Sequence, residues 1–273
     1  MADRYDTAPP PPDDPLVARD LGAWFGRSVA VTRRSLVPLT VIQLLVFVPV
    51  ALVVGVLGGL GVFDGAEALA PGYGFDYALS TDVGLVRVVS AVLGTLGLTA
   101  SVFVIVRDAA GVRWTPGEVL GFAGRRFLPL LGWTVLSAVL TVIGYVLLVL
   151  PGVYLTIVFG GALLGVVAVE RSGLGRTFTL VNQRFLGTVG RLLTLFVITV
   201  GYGVAAVLLG GLFSLGSSPG DPELVVSQLV INLLTIPLVV FTTSALVVLY
   251  CGLRADEAPG TGTRTFLAEI DRR

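Results

Sequence analysis

The stretch GYVLLVLPGVYLTIVFGG, residues 144–161, decides how the chain is read. It lies inside a longer run, Leu128 to Val169, that contains no Asp, Glu, Lys or Arg. About 20 helical residues cross a bilayer's hydrocarbon core, so the run is two crossings long. Pro lacks an amide hydrogen and Gly adopts positive φ readily, which suits Pro151 and Gly152 to a tight reversal between helices. The expectation is one helix crossing out and another crossing back with almost no loop. The competing reading, a single kinked helix, would have to be roughly twice the membrane's thickness.

The whole chain of 273 residues agrees with this reading. It is 55% hydrophobic and 13% charged, with mean hydropathy +0.92, whereas roughly a quarter of the residues in soluble domains are charged. The formal charge is zero, all 18 basic residues are Arg, and there is no Lys or His. A Walker-type phosphate loop and a Schiff base need Lys, while Ser or Cys triads and most zinc sites need His. The single cysteine, Cys251, excludes an internal disulfide, an iron–sulfur cluster and a thiolate metal site, and is read as a small packing residue. No cofactor is expected.

The acidic, Pro-rich residues 1–13 read as a disordered cytoplasmic tail rather than a signal peptide. Asp14 and Pro15 read as the N-cap and first turn of a helix. Apolar spans follow at about 36–60, 85–106, 128–150, 153–169, 192–216 and 224–253, and residues 255–273 form a second tail. Six spans put both termini on one side. All arginines except Arg87 fall in the N-terminal segment, the 107–127 loop, the 170–191 loop or the C-terminal tail, which makes both termini cytoplasmic by the positive-inside bias. A five-span count would scatter arginines over both faces.

The segments preceding the first, third and fifth spans resemble one another, with RRSL, RRFL and QRFL in register. The expected fold is an all-α integral membrane protein of six transmembrane helices, arranged as three hairpins, each preceded by a cytoplasmic amphipathic helix. In the third copy Leu174, Phe178, Val181, Phe185, Val189 and Leu192 form an apolar stripe, with Arg176 and Gln183 opposite and Arg184 and Arg191 on the flank. In the first copy the stripe is Val17, Leu21, Phe25 and Val29, with Arg19, Arg27 and Arg34 away from it. Such helices lie in the headgroup layer with guanidinium groups toward lipid phosphate. They serve either as elbows that orient the hairpins or as an anionic-lipid site, for which Arg125, Arg126, Arg176, Arg184, Arg191 and Glu170 are the candidate interface residues.

The motifs LPGVYL, VVAVERSG, GLGRTFTL and QRFLGTVG, within residues 151–191, give the chain a family resemblance. It resembles the membrane domain found N-terminal to some bacterial glycerophosphodiester phosphodiesterases and in a wider set of six-span proteins. That family's pattern has Pro-Gly between two spans, a glutamate closing the second, an arginine-containing segment and an arginine–aromatic pair. Glu170, Arg176, Thr177, Phe178, Leu180, Arg184 and Phe185 fall on its positions, with Thr177 in place of Ser and Phe178 in place of Trp. The resemblance implies a multi-pass protein of the bacterial inner membrane. Hydrolysis in the phosphodiesterases resides in a metal-dependent barrel with essential histidines. This sequence ends at Arg273 without a histidine, so that activity is not expected of it.

No ionisable residue falls in the middle of a span, the usual mark of an ion or proton path. Gln43, Gln228 and Asn232 are the strongest intramembrane polar groups and read as hydrogen-bond glue between helices or, alternatively, as a substrate site. Glu170 reads as a structural ion pair with a gating role as the alternative. The acids and aromatics of residues 61–84 read as a solvated outer loop with an interfacial anchor rather than a calcium site. The function expected is a non-enzymatic protein that binds anionic lipid, or organises a partner protein or a second copy, at the cytoplasmic face. A transporter or permease-like component for a small or lipid-like substrate is the alternative. Nucleic-acid binding has no support, because the arginines follow the membrane plane.

Overall fold

The computed structural model describes residues 14–59, 81–212 and 222–272, and they are all-helical, with no strand among them. The expected N-terminal tail, the outer loop of residues 61–80 and the side chains of Arg87, Gln228 and Asn232 lie outside the described residues. The elements are α1 (Leu21–Arg34), α2 (Leu36–Gly59), α3 (Thr81–Ala109), α4 (Pro116–Leu147), α5 (Val149–Gly165, extended by a π turn over Val166–Glu170), α6 (Leu174–Gln183), α7 (Phe185–Gly211), α8 (Pro222–Glu257) and α9 (Thr263–Asp271). Five of the described helices are long and apolar enough to cross a membrane, and α1 with α2 forms a sixth candidate bent by 75°. The chain is a multi-pass membrane protein.

The reversal at the opening stretch is as tight as expected, but its pivot is Leu148, not Pro151-Gly152. Leu148 alone leaves the helical region, at φ −160° and ψ 143°, and α5 starts at the next residue. Pro151 then sits in the first turn of α5, where a missing N–H leaves no intrahelical bond unmade. Gly152 serves close packing rather than positive φ, since a Cβ there would lie 2.4 Å from the ring of Tyr145. The Tyr145 and Thr156 hydroxyls are 3.1 Å apart and tie the two helices one turn further on.

α5 and α8 form the middle of the bundle, each packed on several other helices, while α4 and α7 are peripheral. Val146, Leu150 and Leu186 are each at least 80% exposed, which suits hydrocarbon as solvent and not water. α2 packs against α3 and α7 against α8. Gln43 is buried on α2, and its Nε2 donates to the Ser101 hydroxyl on α3 at 3.5 Å, so this polar group is interhelical glue.

The three amphipathic segments take three different forms. α1 is capped by Asp20, whose carboxylate accepts from the Ala23 amide at 2.7 Å, and breaks from α2 at Ser35. Trp24, Ser28 and Val31 face the protein; of the expected stripe residues Leu21 is 49% exposed, while Phe25, 42% exposed, sets one edge of its ring against Phe241 of α8 at 5.9 Å between centroids. The second segment is not a separate elbow. A capping box between Thr115 and Glu118 starts α4, which runs unbroken for 32 residues, about 48 Å at 1.5 Å per residue, well beyond the hydrocarbon thickness. The third, α6, turns its apolar face into the protein: Leu174, Leu180 and Val181 are buried, and Phe178 contacts Tyr154 and Phe159 of α5.

Asp14 caps a helix, but not its own. Its Oδ2 accepts from the Thr263 amide at 2.9 Å and its Oδ1 from the Thr263 hydroxyl at 2.8 Å, at the first turn of α9 where Gly262 offers no side chain. Its Oδ1 also accepts from the Leu16 and Val17 amides, folding residues 14–18 against the bundle. Arg191 of α7 donates to the Ala18 and Arg19 carbonyls, and Gly252 of α8 admits this segment, since a Cβ there would lie 2.8 Å from the Ala18 oxygen. The C-terminal segment read as a tail is therefore the packed helix α9, with Phe266 and Ile270 buried. Asp14→Ala removes two bonds to the α9 amide and hydroxyl and is expected to cost about 1–2 kcal/mol, measured by thermal unfolding in detergent. Combined with Thr263→Ala it should cost less than the sum of the two single substitutions.

Candidate functional site

The arginine-rich end of the bundle holds two clusters of opposite character. The first is built on Glu170, which the π turn of α5 delivers to the junction of α5, α6, α8 and α9. Its Oε2 pairs with Arg176 Nε at 2.7 Å, and its Oε1 lies 3.1 Å from Arg254 Nε and accepts from the Tyr250 hydroxyl at 3.0 Å. Arg176 also grips Glu257 through two nitrogens, with Nη1 to Oε1 at 2.6 Å. Arg254 reaches Glu269 of α9 at 2.7 Å. The two-point bond from Glu257 raises the Arg176 pKa above its already high ordinary value, against the opposing effect of burial and with further help from Glu170. The side chains of Glu170, Arg254 and Glu269 are 10%, 15% and 17% exposed.

Three acids and two arginines thus form one connected set of ion pairs, with one carboxylate in excess. It is the arrangement of a structural joint that fixes how α6, α8 and α9 meet. Arg176, expected to face lipid phosphate, points into this joint. Arg191, placed in the same expectation, is buried against backbone carbonyls. Arg184 does face outward, its side chain 64% exposed and its Nε 3.5 Å from Asp256.

The second cluster gathers arginines around a cleft. Arg125 and Arg126 of α4 and Arg171, the residue after the π turn, line a cleft of about 270 Å³ with Pro129, Trp133 and Val167, and none of its lining residues is acidic. Arg126 is only 6% exposed, and both of its terminal nitrogens are buried without a hydrogen-bond partner among the described residues. Its guanidinium carbon lies 5.3 Å from the centroid of the Phe122 ring, a favourable but partial compensation. Arg171 holds a left-handed conformation, φ 60° and ψ 27°, which Gly adopts at far lower cost. Its Nη2 donates to the Arg272 carbonyl, which fixes the side chain toward the chain's C-terminal end.

Arg125, Arg126 and Glu170 stand out in the sequence as charges at span ends, but their separation into two clusters does not. Tyr250, Arg254, Glu257 and Glu269 went unread, although the three-residue spacing of Arg254 and Glu257 on a helix was an available signal. Arg171 and Trp133 carry no sequence signal for the cleft, because helix packing alone brings them to Arg126. Among the described residues no group of three His, Cys, Asp or Glu side chains is arranged to hold a metal ion. No family model, curated protein or solved structure matches this chain.

Proposed function

We propose that this is a non-enzymatic six-span protein of the bacterial inner membrane, built as three hairpins with both termini cytoplasmic, which binds anionic lipid at its arginine-rich face. The resemblance of residues 151–191 to the membrane domain of glycerophosphodiester phosphodiesterases enters this reading as that of a membrane module, without the hydrolase activity.

The observation that carries the reading is α1. It leaves the axis of α2 by 75°, leaves Leu21 and part of the Phe25 ring exposed, and ends in Arg33 and Arg34. An apolar side toward acyl chains with cations at the headgroup level is what a helix lying in an anionic interface requires, and each basic residue near the surface contributes about 1 kcal/mol. The exposed Arg184 and the cleft at Arg125 add charge on the same face. Of the three polar residues behind the transporter alternative, Gln43 is the one whose side chain is described, and it donates to Ser101.

The test offers detergent-purified protein an equal mixture of phosphatidylglycerol and phosphatidylcholine and quantifies the lipid that co-purifies. Enrichment of phosphatidylglycerol is expected, reduced several-fold by combined Arg33→Gln, Arg34→Gln and Arg184→Gln substitution. Equal retention of the two lipids, unchanged in the variant, overturns the reading.

A further inference from the structure

We propose that the cleft beside Arg126 holds the phosphodiester group of one anionic glycerophospholipid, with an acyl chain lying along α4. The inference rests on the lipid-binding reading above and gives it a defined site, on residues other than those that carry it.

A buried cation is costly unless something pairs with it. Other arginines at this end have such partners: Arg107 reaches Asp271, Arg176 and Arg254 reach carboxylates, and Arg191 reaches backbone carbonyls. Arg126 is 6% exposed, and both of its terminal nitrogens are buried with no hydrogen-bond partner among the described residues, at the cleft that it lines. The Phe122 ring lies 5.3 Å from the guanidinium carbon and offers no oxygen to either nitrogen. Arg171 also lines the cleft but is engaged by the Arg272 carbonyl, so the site is built on Arg126. Two nitrogens at the tip of a planar fork call for an oxyanion that presents two oxygens side by side.

The position along α4 selects the occupant. The last 20 residues of α4, Leu128 to Leu147, carry no charge and extend about 30 Å at 1.5 Å per residue, the thickness of a bilayer's hydrocarbon core. Arg126 therefore stands just outside the hydrocarbon, at the level of lipid phosphate. Leu136 and Ile143 follow Pro129 of the cleft at seven-residue steps, about two helical turns each, and so lie on the same side of α4. They are 43% and 47% exposed, an apolar track for a chain that leaves the cleft toward the membrane interior. Trp133 forms a fixed wall: its ring lies against Gly173, where a Cβ would be 2.6 Å away.

The volume of about 270 Å³ holds a headgroup and not a whole lipid, and a lone carboxylate would leave most of it to water. A phosphodiester brings two non-bridging oxygens and a single charge, which matches one guanidinium. None of the lining residues is acidic, so a headgroup that also carries an ammonium finds no partner for it in the cleft. Phosphatidylglycerol fits these conditions and phosphatidylcholine does not.

Delipidated protein in detergent is titrated with phosphatidylglycerol, and bound lipids are counted by native mass spectrometry. The first phosphatidylglycerol is expected to bind about tenfold or more tightly than later ones, and than a first phosphatidylcholine. Arg126→Met is expected to abolish this first step and to leave the thermal midpoint of the lipid-free protein unchanged or raised, because it removes an unpaired buried charge. Arg126→Lys keeps the charge but loses the fork, and should lose most of the preference. Leu136→Asn with Ile143→Asn leaves Arg126 in place and should weaken the first step several-fold through the chain alone. Glycerophosphoglycerol, the same headgroup without chains, and oleate, a chain with a carboxylate, should displace the first lipid only at about tenfold or more above its own concentration. Displacement by the chainless headgroup at equal concentration identifies a soluble phosphodiester and overturns the lipid, and displacement by oleate at equal concentration overturns the phosphodiester. No distinct first step, or one unchanged in Arg126→Met, overturns the site. The broader reading is judged by the Arg33, Arg34 and Arg184 variants, so phosphatidylglycerol enrichment that depends on them survives a failure at Arg126.

Discussion

Glu170→Ala is expected to lower stability by about 3–5 kcal/mol, the cost of leaving buried charges without their partner. The substitution strands three groups at once: Arg176 Nε, Arg254 Nε and the hydroxyl of Tyr250, itself 1% exposed. Arg176 keeps Glu257 and Arg254 keeps Glu269, so the joint is weakened at its centre and survives at its edges. Glu170→Gln retains an acceptor for Tyr250 but not the charge, and should fall between the wild type and Glu170→Ala. The control is Asp256→Ala, which breaks the pair with the exposed Arg184 and should cost about 0–1 kcal/mol. The measurement is reversible unfolding in mixed micelles. A loss below about 1 kcal/mol for Glu170→Ala would mean that the cluster is solvated and carries no structural load.

The second large effect is steric. A Cβ on Gly165 would lie 2.1 Å from Cγ of Tyr250, closer than any real contact, at the place where α5 and α8 pack together. Neither side can give easily. Tyr250 is wedged against Phe266 of α9 at 6.0 Å between ring centroids and bonded to Glu170, and Gly165 immediately precedes the π turn. Gly165→Val is expected to cost about 3 kcal/mol or more, the upper range for overpacking, and to lower the yield of folded protein in detergent. Gly165→Ala should cost less and should be partly relieved by Tyr250→Leu, so the pair costs less together than the sum of the two substitutions. Additive costs would show that the helices separate freely at this point.

These contacts mark what the sequence could and could not disclose. Long apolar runs without charge made the spanning helices legible, and the arginine distribution made one end of the bundle special before any contact was known. The Pro151-Gly152 pair signalled a tight reversal, yet the pivot went to Leu148, because Pro is tolerated in a first helical turn and Gly was needed against Tyr145. Periodicity found the stripe on α6 but could not say whether lipid or protein would cover it; the aromatic residues Tyr154 and Phe159 on α5 settled that in favour of protein. Asp14 reads as a helix cap in any local window, and only the folded chain reveals that the helix is the last one. The candidate site was legible as charge and not as geometry. Arg125 and Arg126 stand out beside one another in sequence, but whether such a pair is neutralised depends on which acids the packing delivers. Glu170 went to Arg176, and the neighbouring Arg171 went to the cleft.

The bond between Asp14 and Thr263 joins residues 249 positions apart. A ribosome makes Asp14 before the spanning helices that separate it from Thr263, and Thr263 after them. Residues 14–18, seated on α8 and held by Arg191 of α7, therefore have no resting place during most of synthesis. A segment made before the helices it packs on settles only after them, and a chain that has not yet reached Thr263 is distinguishable by an unclasped Asp14.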